Sequence, residues 1–307
     1  MTDNTEPDWR TDPLTGEPVV LVRARQDRPN RPSRGCPFCP GGLEAPEPYQ
    51  VRWFVNRWPS LPQGRCEVVL FSPDHDASLG QLEEAQLDRV ITIWTERTAA
   101  LGARPDVAYV LLFENRGAEV GATIPHPHGQ IYAFGEIPPA PHRELAGDRC
   151  AICEELAGAG RGGPSHQSRL IAEEGGWQAF TTWAPAWPFE LLIAPADHLP
   201  DLPAAARSQA GLGRALKAGL SSLDLLFDAP TPYMLWCHQR PADNRTWATA
   251  HLHFHVAPAW RERGVLRYVA AGELGSGVFF NPVDPEEAAQ RLREALARPR
   301  FLGREIE

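Results

Sequence analysis

Lysine is all but missing from this chain. Lys217 is the only one, so nearly all of the 30 basic side chains are arginines. A lysine Schiff base and a phosphate-binding loop closing on Gly-Lys are both excluded. Long apolar runs are absent too. Nowhere do eighteen apolar residues stand together, and the stretch from Met1 to Asp8 is polar and acidic. No membrane span or secretory leader is expected, and the cytoplasm is the expected compartment. The chain also lacks an excess of positive charge: 30 basic against 39 acidic side chains leave a net charge of −9. That argues against a sequence-independent grip on nucleic acid or an anionic membrane, so any phosphate site must be local. What is there is ordinary for a folded protein: 307 residues, 43% hydrophobic and 22% charged, enough for one large domain or two modest ones.

Four of the six cysteines form two Cys-x-x-Cys pairs, Cys36 with Cys39 and Cys150 with Cys153. In a chain without a secretory signal, such pairs point to metal or redox chemistry before structural disulfides. Cys66 and Cys237 have no partner pattern and read as buried thiols. The histidines give the pairs their meaning, because the chain repeats itself. Cys36-Pro-Phe-Cys39 is followed by a segment from Glu67 to His75, an amphipathic stretch, and His126-Pro-His128-Gly-Gln130. Cys150-Ala-Ile-Cys153 is followed by a segment from Glu190 to His198, a second amphipathic stretch, and His251-Leu-His253-Phe-His255. Glutamate and histidine are 8 residues apart in both copies, and the next His-x-His lies 51 and 53 residues further on.

Within each copy the apolar runs Val68–Phe71 and Leu191–Ala194 are short and bounded by proline, as buried strands are. Leucines and other apolar residues recur at helical spacing between His75 and Gly102, including Leu82 and Leu101, and again over 204–226. Val107–Phe113 and Ile131–Phe134 add strands. Asp284-Pro-Glu-Glu287 opens a last helix with an N-cap, a proline at the first position and two acids in the first turn. Gly158–Ser165 reads as a flexible loop, and the proline-rich stretch Gly135–Gly147 as the joint between copies. The expected architecture is α+β: two tandem repeats, 1–145 and 146–307, forming a mainly antiparallel sheet flanked by helices.

Zinc takes four soft or borderline ligands in a tetrahedron, and Cys-x-x-Cys with two distant histidines supplies them. The first copy offers Cys36, Cys39, His75 and His126. The second offers Cys150, Cys153, His198 and His251, with His253 and His255 as competitors on the same strand face. Strand alternation puts His126, His128 and Gln130 on one face, and likewise His251, His253 and His255. An imidazole held at one ring nitrogen is suited to nucleophilic attack at phosphorus by the other. The small-residue segment from Gly121 through Thr123 to Pro125 offers backbone donors and a hydroxyl to a phosphate.

The run from Phe113 through Asn115 and Thr123 to His126-Pro-His128-Gly-Gln130 resembles the active-site signature of the galactose-1-phosphate uridylyltransferase family, within the histidine-triad superfamily. The resemblance extends from Asp12 to the C-terminal helix, with further matches at Phe54–Leu61, Ser72–His75 and Trp187–Glu190. It implies two histidine-triad-like repeats. It also implies that His128 takes a uridylyl group from UDP-glucose and passes it to galactose 1-phosphate in ping-pong order, with Gln130 bonding the phosphoryl oxygens of the intermediate. Asn115 and Thr123 match positions that contact the nucleotide phosphates, and Asn56 with Trp58 the uracil–ribose pocket. Arg25 and Arg28 match phosphate-binding arginines that in this family can reach a neighbouring subunit, which implies a homodimer. Arg267, Tyr268 and Glu273 fall in the sugar-binding stretch, with Gly272 where a tyrosine is common. Well-known members bind iron through a glutamate and histidines of the second half, and Glu144 matches that glutamate. The pair Cys150 and Cys153 instead points to a two-zinc variant. Relatives that split nucleotide sugars with inorganic phosphate share the nucleotidyl-histidine. A phosphorylase, a hydrolase working from His251, His253 and His255, and a zinc-stabilised nucleotide-binding protein are the competing readings.

Overall fold

The computed structural model describes residues 8–26, 35–158 and 165–298. Arg28 and positions 159–164 of the expected loop lie outside them. A hairpin of β1 (Asp8–Thr11) and β2 (Pro18–Leu21) precedes the first repeat, which contains β3 (Arg52–Val55), β4 (Cys66–Leu70), α1 (Glu84–Gly102), β5 (Tyr109–Arg116) and β6 (His128–Phe134). The connecting stretch holds α2 (Pro139–Leu145), α3 (Ala151–Leu156) and α4 (His166–Arg169). The second repeat contains β7 (Leu170–Glu174), β8 (Trp177–Thr181), β9 (Leu191–Pro195), α5 (Gln209–Phe227), β10 (Tyr233–His238) and β11 (His253–Pro258). A small ribbon of β12 (Trp260–Glu262) and β13 (Val265–Leu266), then α6 (Ala271–Ser276) and α7 (Pro285–Ala297), close the described chain.

Nine strands make one antiparallel sheet in the order β3-β4-β6-β5-β10-β11-β9-β8-β7. The order is a near-mirror about the β5–β10 seam, as two copies of strand, strand, helix, strand, strand laid edge to edge produce. Register carries the correspondence across the whole sheet. Phe54 pairs with Val68, Val68 with Gln130, Gln130 with Phe113, Phe113 with Trp236, Trp236 with His255, His255 with Leu192 and Leu192 with Phe180. Gln130 and His255 therefore occupy the same position in the two halves.

Helices α1 and α5 lie against one face of the sheet and each other, with α7 packed on α5. Trp94 of α1 meets Phe71 edge-on at 5.6 Å and stacks with Phe254 of the second half at 6.1 Å, so one ring joins both repeats in a single apolar core. Helix α1 starts at Glu84, which leaves Leu82 outside it, because a 3₁₀ turn over Leu79–Gln81 and an extended Leu82 precede the helix. Helix α7 begins as its sequence indicates: the Asp284 carboxylate accepts from the amides of Glu286 and Glu287. The proline-rich joint is no plain linker, since it folds into α2. Burial of Cys66 and Cys237 is complete. No helix among the described residues is long and apolar enough to cross a membrane.

Candidate active site and metal centres

The opposite face of the sheet carries the polar chemistry. Strand β6 begins at His128 and presents His128, Gln130 and Tyr132 on that face, while Gly129 points into the core. A Cβ at Gly129 would meet the Phe71 ring at 2.7 Å and the Phe113 carbonyl at 3.1 Å, so the glycine of the His-Pro-His-Gly-Gln run is required by packing. His126 lies two residues before the strand and borders the same cavity as His128. Its Nδ1 is 3.6 Å from the Cys39 sulfur, and its Nε2–H faces the Ser72 carbonyl and the Tyr49 hydroxyl, each at 2.8 Å. His75 Nδ1 is 3.4 Å from the same sulfur. The ligand atoms of Cys36, Cys39, His75 and His126 all lie within 4.8 Å of one another.

The second half repeats this arrangement. His251 Nδ1 faces the sulfurs of Cys150 and Cys153 at 3.4 Å each, and its Nε2–H donates to the Pro195 carbonyl at 2.9 Å. His198 Nδ1 lies 3.1 Å from Cys153. Burial lowers the pKa of His126 and brings His251 down to about 4, which keeps both rings neutral and able to ligate. Burial also pushes the Cys39 thiol up and the Cys153 thiol up to about 11. Thiols so placed become thiolates only against a cation, and the donor sets suit a tetrahedral metal.

A third cluster was only half legible in the sequence. Glu144 from α2 reaches His238 Nδ1 at 2.9 Å and lies 3.4 Å from His253 Nε2. His253 Nε2 and His255 Nε2 are 3.1 Å apart. His253 donates through Nδ1 to the His251 carbonyl at 2.7 Å, so its Nε2 carries a lone pair directed at the same point as the carboxylate. The neighbouring His238 and His253 rings outweigh burial and hold the Glu144 carboxyl well below the usual carboxylate range, while burial drives His255 well below the usual histidine range. An anion and converging imidazole lone pairs fit a divalent metal. The expectation set this glutamate site and the Cys150 site as alternatives; the structure assembles both. His238 was missed because it stands alone in the sequence, and only its cross-strand pairing with His253 brings it in.

His128 lines a cavity of about 800 Å³ together with Asn115, Thr123, His75 and the loop after β5. Its Nδ1–H donates to the His126 carbonyl at 2.8 Å, which makes Nε2 the basic nitrogen. The Phe38 ring holds the imidazole edge-on at 5.0 Å. Gln130, next along the same face, accepts from the Asn56 amide at 3.2 Å, and Asn56 is itself anchored by accepting from the Trp58 backbone amide at 2.9 Å. Further along, Tyr132 bonds Ser60 at 3.0 Å, and Arg25 donates to Ser60. The structure therefore gathers His128, Asn115 and Thr123 around the cavity and links Gln130, Asn56, Trp58 and Arg25 along β6. Arg267, Tyr268 and Glu273 do not line the cavity. Arg267 and Glu273 are buried in a mutual ion pair of 2.5 Å, with Arg267 over the Trp187 ring at 4.8 Å, and Tyr268 is exposed. Glu114, which the sequence reading passed over, also borders the cavity; its carboxyl is buried, bonded by the Tyr233 hydroxyl at 3.0 Å, and pushed up to about 7 by burial.

The family model for the N-terminal domain of galactose-1-phosphate uridyl transferase matches residues 57–138, and that for the C-terminal domain matches 164–299. This chain belongs to the galactose-1-phosphate uridylyltransferase family. A galactose-1-phosphate uridylyltransferase of Thermotoga maritima is 36% identical over 93% of this chain and 97% of its own length. One from Streptomyces lividans is also 36% identical, over 94% and 87%. A solved uridylyltransferase superposes with a TM-score of 0.84 at 31% identity, covering 94% of this chain and 98% of that one. An ADP-glucose phosphorylase of Arabidopsis thaliana is 26% identical over 95% of the chain and 94% of its own length. The family is one of nucleotidyl-transferring enzymes, and strands β4 to β11 of the two-repeat sheet all fall within the matched residues.

Proposed function

We propose that this enzyme moves a uridylyl group from UDP-glucose to galactose 1-phosphate through a covalent intermediate on His128. The observation that carries the reading is the tautomer of His128: with Nδ1–H committed to the His126 carbonyl, Nε2 is the basic nitrogen of a ring that lines the cavity. Nε2 attacks the α-phosphorus of UDP-glucose, a P–N bond forms, and the bond from phosphorus to the bridging oxygen breaks, releasing glucose 1-phosphate. A phosphate oxygen of galactose 1-phosphate then displaces the imidazole and gives UDP-galactose. A sugar phosphate leaves as a stable anion and needs no proton, so an amide in place of a third histidine suits transfer. Because Gln130 accepts from Asn56 with its carbonyl oxygen, its NH₂ is turned toward the reacting phosphoryl group. Asn115 and Thr123 bind the phosphates, Asn56 and Trp58 the uracil and ribose, and Arg25 and Arg28 supply positive charge.

Zinc is the metal proposed for Cys36, Cys39, His75 and His126 and for Cys150, Cys153, His198 and His251. In the first site it holds His126 in place, and with it the carbonyl that orients the nucleophile. The Glu144, His238, His253 and His255 set is proposed to hold a further divalent ion. Repeats 1–145 and 146–307 act as one cytoplasmic enzyme, and a homodimer is proposed. Exposed Tyr268, Leu274, Phe279 and Phe280 form an apolar surface for the partner, beside residues expected to contact sugar that lie outside the His128 cavity of their own chain. Chromatography with light scattering reads the mass.

Mass spectrometry tests the chemistry. After mixing with UDP-glucose alone, the protein should carry a uridylyl adduct on His128, and UDP-galactose should form only when galactose 1-phosphate is added. The resemblance to an ADP-glucose phosphorylase keeps one alternative: a nucleoside diphosphate formed with inorganic phosphate would move the acceptor from sugar phosphate to phosphate. Turnover that survives His128→Ala would refute the covalent step.

A further inference from the structure

The cleft that holds His128 is walled by the residues after His75 and by the loop between β5 and β6. The same two elements of the second repeat, the residues after His198 and the loop between β10 and β11, enclose another cavity, of about 640 Å³. Repeat symmetry has thus preserved the cleft itself on the far side of the molecule. Its chemistry has changed. His253 and His255 do not line it, because they turn toward Glu144. In place of the small residues Gly117 and Ala118, the second loop brings Arg240, Asn244, Arg245, Thr246 and Trp247.

These side chains are already arranged. Arg240 pairs with the buried Asp201 at 2.6 Å, and Asp201 also caps the Ala204 amide at 2.8 Å. Arg245 and the Trp247 indole both bond Asp243, at 2.5 and 2.8 Å, and the Arg245 guanidinium covers the Trp247 ring at 4.5 Å. The two arginine side chains keep 49% and 63% of their exposure, so their outer N–H groups remain accessible. On the opposite wall Thr98 of α1 is buried, with a hydroxyl that has no hydrogen-bond partner. Asn244 is held at φ +60°, a left-handed conformation that costs energy for a residue other than glycine. The cavity wall thus offers two half-exposed arginines, each oriented by its own aspartate, Asp201 and Asp243. It adds hydroxyl and amide groups and the edge of an indole.

We propose that this second cleft is a non-catalytic binding site for a sugar phosphate: the arginines take the phosphate, and Asn244, Thr246 and Thr98 the hydroxyls. The site binds without reacting because His198, the imidazole that lines it, belongs to the second Cys/His cluster. It does not depend on the role proposed for His128. A ligand there touches His198, the 198–203 segment and the end of α1, so occupancy couples to the second Cys/His cluster and to the helix shared by both halves.

Calorimetric titration of the metal-loaded enzyme with galactose 1-phosphate, and separately with inorganic phosphate, tests the site. Hydrogen exchange is followed in the peptides spanning 198–203 and 239–248. The expected result is one sugar-phosphate equivalent per chain beyond any bound at His128, with protection confined to those peptides. Arg245→Glu, at an exposed position, should weaken that equivalent at least tenfold while leaving the turnover of added substrates unchanged. Arg240→Gln should do the same. Should the aspartate left behind by that change unfold the chain, Arg245→Glu still decides. Binding of inorganic phosphate as tight as that of the sugar phosphate would overturn the assignment to a sugar. A single equivalent that both variants leave intact, or no protection over 239–248, would overturn the site.

Discussion

The two halves share one sheet, one register and one Cys₂His₂ geometry, yet only the first presents the histidine at the start of its sheet strand, His128 rather than His253, to a wide cleft. His128 and His253 make the same Nδ1 bond to the carbonyl two residues earlier, at 2.8 and 2.7 Å. What stands opposite them differs. His128 faces a cavity shared with Asn115 and Thr123, whereas His253 meets Glu144, His238 and His255. A tautomer is therefore not sufficient for nucleophilic function. The setting of the ring matters as well, and in the second half α2 changes it by inserting a carboxylate.

The sharpest way to break the comparison is to remove each histidine. His128→Ala is expected to cut uridylyl transfer roughly 10⁴-fold or more, as loss of a covalent nucleophile does. His253→Ala should cost less than about tenfold and remove one metal equivalent. Equal losses in the steady-state rate would sink the division of labour.

The cysteine pairs come next. Cys36→Ser and Cys150→Ser should each lower the metal content by one equivalent and stability by about 5 kcal/mol, since ligand loss removes metal-coupled folding energy. Only Cys36→Ser should also depress the rate, because His126 carries the carbonyl that orients His128. Elemental analysis with thermal unfolding separates the two effects. An unchanged metal count in Cys36→Ser would disprove the first site.

The matched glutamates sharpen the contrast further. Glu67 accepts a bidentate ion pair from Arg97, at 2.7 and 2.8 Å, and is buried. Glu190 accepts from the amides of Ala186 and Trp187 at 2.8 and 3.0 Å and tethers a loop. Leaving the Arg97 charge without its partner should make Glu67→Ala cost about 4 kcal/mol in chemical denaturation. Glu190→Ala should cost about 2 kcal/mol, as lost hydrogen bonds do. The reverse order would show that sequence position, not partner, sets the energetics.

The smallest effect is expected at Glu114. Its carboxyl is raised from 4.5 to about 7 by burial, so the folded chain holds that proton more tightly than the unfolded chain. The corresponding stability is complete below pH 4.5 and is lost as the pH rises through about 7. Glu114→Gln should remove that slope and leave the variant more stable than the parent at pH 8. Denaturation midpoints at pH 5 and pH 8 measure it, and a slope that persists in the variant would reject the assignment.

Much of the site was legible because its signals are local. Cys-x-x-Cys, His-x-His and the equal spacing from Glu67 to His75 and from Glu190 to His198 are short patterns, and both four-ligand sets assemble as their spacing indicated. Strand boundaries were read to within a few residues, because Pro-bounded apolar runs and period-two alternation are properties of neighbours in the chain. His126 and His128 both border the cavity and the Phe38 ring as read, although β6 itself begins only at His128. Arg267 and Glu273, read as sugar contacts, pair with each other outside the His128 cavity. The misses are relations between distant strands and helices. His238 and Glu144 joined a cluster through register and through the folding of α2, which no spacing encodes.

The sequence by itself determined the duplication and the membership of the two Cys₂His₂ sets, because each depends on residue type and short-range periodicity. The tertiary structure alone decided which copy keeps a cleft in front of its histidine, that the second copy becomes a glutamate–histidine cluster, and that its old cleft persists beside an arginine-bearing loop. Those outcomes depend on where side chains far apart in sequence come to rest, and that is fixed by antiparallel register and by the packing of α1, α2 and α5 on a shared sheet.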